Sequence, residues 1–160
     1  MKTAIIFASK YGTTEKVAAM IAEKLKNCNE IEIFSLKKNP NPDISQFEMV
    51  ILGTAIYAGS ALKKMKKFCR ANKQVLLQKK LGLFVCGMEP TKDKQDQELQ
   101  DAYPEVLHKN AVATGFMGGA FLFEKMNFFE RSIIKKIAKT TTSVHQISES
   151  AIGEFVKNLQ

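Results

Sequence analysis

The chain has no tryptophan, four prolines, three cysteines and two histidines in 160 residues, and it has no acidic residue between positions 60 and 80. Each scarcity excludes something. Cys28, Cys69 and Cys86 are odd in number and form no Cys-x-x-Cys pair. Neither a disulfide framework nor a structural zinc site is expected from them. His108 and His145 stand apart from the cysteines and from any carboxylate cluster, so no metal site is expected either. No apolar run approaches the roughly 20 residues that span a bilayer. The chain opens directly on a strand pattern, so no signal peptide and a cytoplasmic setting are expected. Hydrophobic content of 45% and charged content of 25% suit a soluble globular protein. The expected organisation is one domain over 1–160, without repeats or low-complexity stretches.

What is present alternates. Thr3–Phe7 reads as a strand, and Thr13–Lys26 as a helix with Val17, Ala18, Ile21, Ala22 and Leu25 on one face. Glu30–Leu36 reads as a second strand. Asn39-Pro40-Asn41-Pro42 breaks the pattern, leaving room for a short helical turn at Ile44–Phe47. Met49–Gly53 is continuously apolar, as a strand covered on both faces would be. Ser60–Ala71 is a helix with Leu62, Met65 and Phe68 inward, and Leu81–Cys86 a fourth strand. Lys94–Tyr103 reads as helical, with Pro104 disturbing its end. Ala111–Met117 is a fifth strand and Gln146–Leu159 a last helix. Such βα alternation predicts an α/β domain with a parallel sheet and helices on both faces.

The most informative segment is Phe7-Ala8-Ser9-Lys10-Tyr11-Gly12-Thr13-Thr14. It leaves the first strand and enters the first helix. Backbone N–H groups at a helix start, together with the helix dipole, attract an anion such as a phosphate. Ser9, Thr13 and Thr14 add hydroxyls, Gly12 permits close backbone approach, and Lys10 adds charge. The loop lacks the Gly-x-x-x-x-Gly-Lys-Ser/Thr order of a P-loop and the Gly-x-Gly-x-x-Gly of a dinucleotide site. It resembles the flavodoxin signature, with Phe7, Ser9, Gly12 and Thr14 in the aromatic, hydroxyl, small and threonine places. The resemblance implies a flavodoxin-like three-layer sandwich with five parallel strands in the order 2-1-3-4-5. It also implies that Ser9, Lys10, Tyr11, Gly12, Thr13 and Thr14 hold the phosphate of FMN.

In such a sheet the loops at the strand C-termini converge. After the third strand comes Gly53-Thr54-Ala55-Ile56-Tyr57-Ala58-Gly59-Ser60. Its small residues let a flat ring approach, and Tyr57 is an aromatic that can stack on one. After the fourth strand comes Gly87-Met88-Glu89-Pro90-Thr91. By the resemblance, Thr54, Ala55, Ile56, Tyr57, Gly87 and Met88 frame the flavin ring. The tryptophan often found beside the flavin in short electron-carrier flavodoxins is missing.

The net charge of +8 is concentrated. Lys63, Lys64, Lys66, Lys67, Arg70, Lys73, Lys79 and Lys80 lie in 60–80, and outside that stretch basic and acidic residues balance. A negatively charged partner is expected there, an anionic membrane surface or a carboxylate-bearing substrate rather than nucleic acid. Electron-carrier flavodoxins tend to be acidic around the flavin, and this chain departs from that. A basic amphipathic insertion is expected at about 118–143. Its helix over 124–139 carries Met126, Phe129, Ile133 and Ile137 on one stripe. Packing on the domain and lying at a membrane interface both remain open for it.

The Ser9–Thr14 loop, Ala55-Ile56-Tyr57-Ala58-Gly59, and Gly118-Gly119-Ala120 leading into 128–137 are similar to the flavodoxin-domain group that includes menaquinone-dependent protoporphyrinogen IX dehydrogenase. That group implies an FMN-dependent oxidoreductase passing electrons to a quinone, peripheral to the inner face of a membrane. The alternative within the same fold is a soluble flavodoxin carrier serving a redox partner protein such as a reductase. In either case the flavin carries the chemistry, and no side chain is expected to be catalytic.

Overall fold

The computed structural model describes residues 1–121 and 144–160. Its sheet is built from β1 (Lys2–Ala8), β2 (Glu30–Ser35), β3 (Met49–Tyr57), β5 (Lys80–Cys86) and β6 (Ala111–Phe116), in the order β2-β1-β3-β5-β6. All four pairings along this path are parallel. Counted as parallel strands only, the order is the expected 2-1-3-4-5. Strand β4 (Ser60–Ala61) folds back antiparallel on the end of β3. Strands β7 (Ala120–Phe121) and β8 (Val144–His145) form a separate antiparallel pair. Helices α1 (Thr13–Leu25) and α5 (Glu149–Leu159) pack on one face; α2 (Lys63–Leu76), α3 (Lys92–Ala102) and the short α4 (Glu105–Asn110) cover the other.

Both faces of the sheet are sealed, which is why its central strands read as unbroken apolar runs. Side chains alternate along each strand. Ile5, Met49, Ile51 and Phe84 turn to Val17, Ile21, Leu25, Ile152 and Phe155, while Ala4, Ile6, Val50, Leu52 and Leu83 turn to Met65, Phe68, Cys69 and Leu107. Each large side chain fully buried this way contributes about 1.5–3 kcal/mol. Gly53 lies in β3 because Phe84 on β5 covers it: a Cβ there would come within 2.0 Å of the Phe84 ring. Tyr103, fully buried, sets its hydroxyl 2.6 Å from the Phe84 carbonyl and 3.0 Å from that of Leu52, tying α3's end to both strands. Burial holds its phenol well above the ordinary value.

The structure differs from the sequence expectation at several ends. Strand β3 runs on through Thr54–Tyr57 instead of stopping at Gly53, because Ile56 and Tyr57 find partners in Ala61 and Ser60. Ser60–Ala61 is therefore strand, and α2 starts at Lys63. The turn between, Ala58-Gly59, has both residues at positive φ, +51 and +76, the backbone of a tight two-residue hairpin. Ile44–Phe47 is a turn closed by Phe47 N–H to the Ile44 carbonyl, not a helix. Pro104 does more than end a helix: it caps the start of α4. The last helix begins at Glu149, where Ser148 Oγ accepts the Ala151 N–H. The expected 124–139 helix, and residues 122–143 of the insertion generally, lie outside the described residues.

Helix α2 goes against local stability. Its inner stripe is Met65, Phe68, Cys69 and Leu76, and its outer face carries Lys63, Lys64, Lys66, Lys67, Arg70 and Lys73, all exposed. Lys63 has Lys66 and Lys67 one turn on, Lys64 has Lys67, and Arg70 has Lys66, Lys67 and Lys73. Each such like-charge pair costs roughly 0.2–0.5 kcal/mol. Lys63 and Lys64 also oppose the dipole in a first turn without an acidic residue. Among the described residues no carboxylate forms an ion pair with any of these cations.

Candidate functional site

The C-terminal ends of β1, β3 and β5 lie side by side, with Ala8 opposite Thr54 and Ala55 opposite Cys86 in register. The chain leaving β1 makes a tight loop. Gly12 takes φ +96 at the N-cap of α1, a conformation glycine adopts without the steric cost other residues carry. Its N–H donates to Ser9 Oγ at 2.9 Å, closing the loop on itself. Because Gly12 has no side chain to cap the helix, the first-turn amides of α1 face the loop without a side-chain acceptor. Thr14 is fully buried, and its hydroxyl faces the Cys86 thiol without a nitrogen or oxygen partner. Ser9, Tyr11, Gly12 and Thr13 are half-buried around the loop and Lys10 is exposed. An uncapped helix start, a glycine-permitted bend, an unsatisfied buried hydroxyl and a nearby ammonium fit a phosphate group.

Lys10 joins this loop to β3. Its Nζ lies 3.5 Å from the centroid of the Tyr57 ring and 5.7 Å from that of Tyr11. Tyr57 is half-buried at the last position of β3. Thr54 is fully buried; its hydroxyl accepts the Leu62 N–H at 3.3 Å and lies 3.1 Å from the Ala55 carbonyl, so it fixes the approach to α2 from beneath. Ile56 reaches toward β5: a Cβ on Gly87 would lie 3.5 Å from Ile56 Cβ. Gly87 and Met88, in turn, border a cavity of about 710 Å³ that runs between α3, the end of β6 and α5, with Leu99, Phe116 and Phe155 among its apolar walls. The expected residues thus fall into two connected parts. Ser9–Thr14 and Tyr57 meet through Lys10, and Gly87 lies beside Ile56, while Met88 is placed only on the cavity wall, apart from Ser9–Thr14.

Sequence reasoning passed over Glu98. It sits on α3 with Oε2 buried and unpartnered, 3.4 Å from where a Gly87 Cβ would be. Burial, and then the charge of Glu89, hold its carboxyl above the ordinary glutamate value. Its position one helical turn before buried Ala102 is the one signal that marks it inward. Cys86, at the end of β5, is pushed up to about 12 by burial, so it is a thiol and not a nucleophile here.

The fold is an α/β domain with a doubly wound parallel sheet, and the loop at the carboxyl end of β1 has the features that suit an anion. Residues 4–148 match the flavodoxin domain, and the chain belongs to that family. A flavodoxin from Clostridium saccharobutylicum is 33% identical over 84 residues, which cover 51% of this chain and 52% of that one. The match therefore spans about half the length of that relative. Protoporphyrinogen IX dehydrogenase [quinone] of Escherichia coli (strain K12) is 19% identical over 144 residues, 87% of this chain and 80% of the enzyme. Among solved structures, oxidised flavodoxin 1 from Bacillus cereus superposes with a TM-score of 0.59 at 18% identity, over 99% of this chain and 95% of the other.

Proposed function

We propose that the chain is an FMN-binding oxidoreductase of the flavodoxin family. The carrying observation is the α1 start, where Gly12 leaves the first turn uncapped beside Ser9, Lys10 and the buried Thr14 hydroxyl. Ser9, Lys10, Tyr11, Gly12, Thr13 and Thr14 would hold the phosphate. Tyr57, Ile56, Ala55, Gly87 and Met88 would frame the ring, with Thr54 bracing β3 below it. When bound, FMN supplies reversible one- or two-electron transfer. The protein's part is to hold the anion on amides and hydroxyls, to present an aromatic face, and to limit water at the buried ends of β3 and β5.

The finer reading is a dehydrogenase that takes electrons from a reduced organic substrate of the protoporphyrinogen type and delivers them to a quinone. Two observations support it: the alignment with the Escherichia coli enzyme extends over most of this chain, and the cationic face of α2 starts directly after the β3–β4 turn. A quinone sits in lipid, and clustered lysines suit an anionic membrane surface. The second reading is a soluble carrier for a reductase partner, favoured by the higher local identity to the clostridial flavodoxin.

The test is a reductive titration of the purified protein with added FMN, followed in the visible spectrum. Direct two-electron bleaching, reversed by a menaquinone analogue, supports the quinone-linked enzyme. Two separate one-electron steps support the carrier. Failure to retain FMN removes both readings. Sedimentation with phosphatidylglycerol vesicles adds an independent arm: the quinone-linked reading expects salt-sensitive binding through Lys63–Lys80 or 124–139, and the carrier reading expects the protein in the supernatant.

A further inference from the structure

The cavity between α3, the end of β6 and α5 lies apart from the anion loop, and its charge runs against that of the chain. At about 710 Å³ it has the size of a small-molecule pocket, a class that spans about 300–1,000 Å³. Part of its wall is apolar, made by Met88, Leu99, Phe116 and Phe155. Leu99 and Phe116 are only half-buried, which leaves apolar surface for a ligand to cover. The side-chain amides of Gln146 and Asn158 add polar groups.

The charged part of the wall is acidic. Among the described residues it carries Glu89, Asp96 and Glu154 against Lys92 alone, and Lys92 already pairs with Asp96. Glu89 accepts the Thr91 N–H at 3.1 Å, but neither it nor Glu154 has an ion-pair partner among the described residues. The whole chain has 24 basic against 16 acidic residues, so unmatched carboxylates on one cavity wall go against its average. Glu98 feels the same field from behind Gly87: burial, and then the charge of Glu89, hold its carboxyl above the ordinary value.

We propose that this cavity binds a small organic cation, an amine or amidine carried on a flat apolar body. The apolar wall covers the body, and Glu89 and Glu154 attract the charge. A carboxylate on the same body meets two like charges there and is rejected, so the site selects by sign as well as by shape. Anionic partners suit the α2 ridge instead, where six cations stand exposed. The chain thus sorts its ligands by charge over two separate surfaces. The proposal goes beyond the FMN reading and stands on the cavity alone.

The test uses two probes on one ring system: 1-naphthylmethylamine, a cation at neutral pH, and 1-naphthoate, an anion. Each is titrated into the isotope-labelled full chain without added flavin, and amide shifts are followed by NMR. The amine should shift the Gly87, Gly115 and Gly118 amides saturably, since these three border the cavity. Its dissociation constant should be roughly fivefold or more below that of the naphthoate, the size of a partly exposed charge contact. Raising the salt should shrink that preference. Glu89→Gln with Glu154→Gln should remove it while the amides of Thr3–Phe7 stay in place. Glu154 is exposed, so Glu154→Gln alone disturbs no packing and should remove part of it. Thr114→Trp, at an exposed position on the β6 wall, should weaken both probes by filling the space. The proposal is overturned if the naphthoate binds as well as the amine, if the shifts lie away from the cavity, if the preference survives loss of both carboxylates, or if neither probe binds at millimolar concentration. Because no flavin is present, none of these outcomes bears on FMN binding, which the reductive titration decides.

Discussion

Helices α1 and α2 leave neighbouring central strands at the same edge of the sheet, and both start without a side-chain cap. Both also carry a lysine in the last turn, Lys24 and Lys73, but they differ in the first turn and along the outer face. Helix α1 has Glu15 in its first turn and Lys24 in its last, an arrangement that agrees with the helix dipole. Its open amides face a concave loop shaped by Gly12. Helix α2 has no acid in its first turn, carries cations along its whole outer face, and presents them on a convex ridge. A concave ring of amides suits one small anion held at short range. A convex row of solvated ammonium groups suits an extended anionic surface, and loses its hold as salt rises. The two helices therefore share an uncapped start but present opposite kinds of positive charge, backbone amides in one and side-chain cations in the other.

The strongest way to break this comparison is at Gly12. Gly12→Val places a β-branched residue at φ +96 and moves the first-turn amides, at a conformational cost of about 1–3 kcal/mol. FMN retention should fall by roughly tenfold or more, read as the flavin content of purified protein and by quenching titration. Equal flavin content in variant and parent would remove α1 from the site. The corresponding change on α2 is Lys63→Gln with Lys66→Gln, Lys67→Gln and Arg70→Gln. Relief of like-charge pairs should raise stability by about 1–2 kcal/mol at low salt, read as a higher urea midpoint with unchanged slope. A lower midpoint would mean that the ridge is paired within the chain, and that the two helices are less different than they look.

Between the helices lies the β3–β4 turn, where Ala58 holds φ +51. Ala58→Asn should raise stability by up to about 1 kcal/mol, because asparagine tolerates that conformation better, and should leave FMN affinity unchanged. A drop in affinity would show the alanine itself to be part of the ring site. On the far side, Glu98 sharpens the comparison with a single carboxyl. Its raised value in the fold means that the folded chain binds the proton more tightly than the unfolded chain does. Stability should decline as pH rises from the ordinary glutamate value toward the raised one. Glu98→Gln should flatten that decline, seen in urea midpoints across pH 4–7. An unchanged slope would place the carboxyl in water. The smallest effect is chemical: Cys28 is exposed, while Cys69 and Cys86 are buried with their thiols pushed up to about 12. A thiol reagent should modify Cys28 alone in the native protein and all three in denaturant. Modification of Cys86 in the native state would mean that the end of β5 opens.

Much of this was legible beforehand because it depends on near neighbours in sequence. The continuous apolar runs Ile5–Phe7 and Val50–Leu52 announce strands buried on both faces, and the stripe Val17, Ile21, Leu25 announces α1. The bend of the Ser9–Thr14 loop is local too, since Gly12 at positive φ and the Ser9 hydroxyl that closes the loop lie three residues apart. The pairing that extends β3 through Tyr57 was not legible, because Ile56 becomes strand only when Ala61 comes back beside it.

The sequence by itself determined the alternation of elements, the parallel sheet, the glycine at the start of α1 and the excess of positive charge in 60–80. Those follow from side-chain period, glycine placement and counts of charge. Only the tertiary structure decided that Lys10 meets Tyr57, that Thr14 turns toward Cys86, and that Glu98 lies beneath Gly87. Each of these joins residues on different elements, and their separation in space is set by how the helices seat on the sheet, which no local pattern encodes.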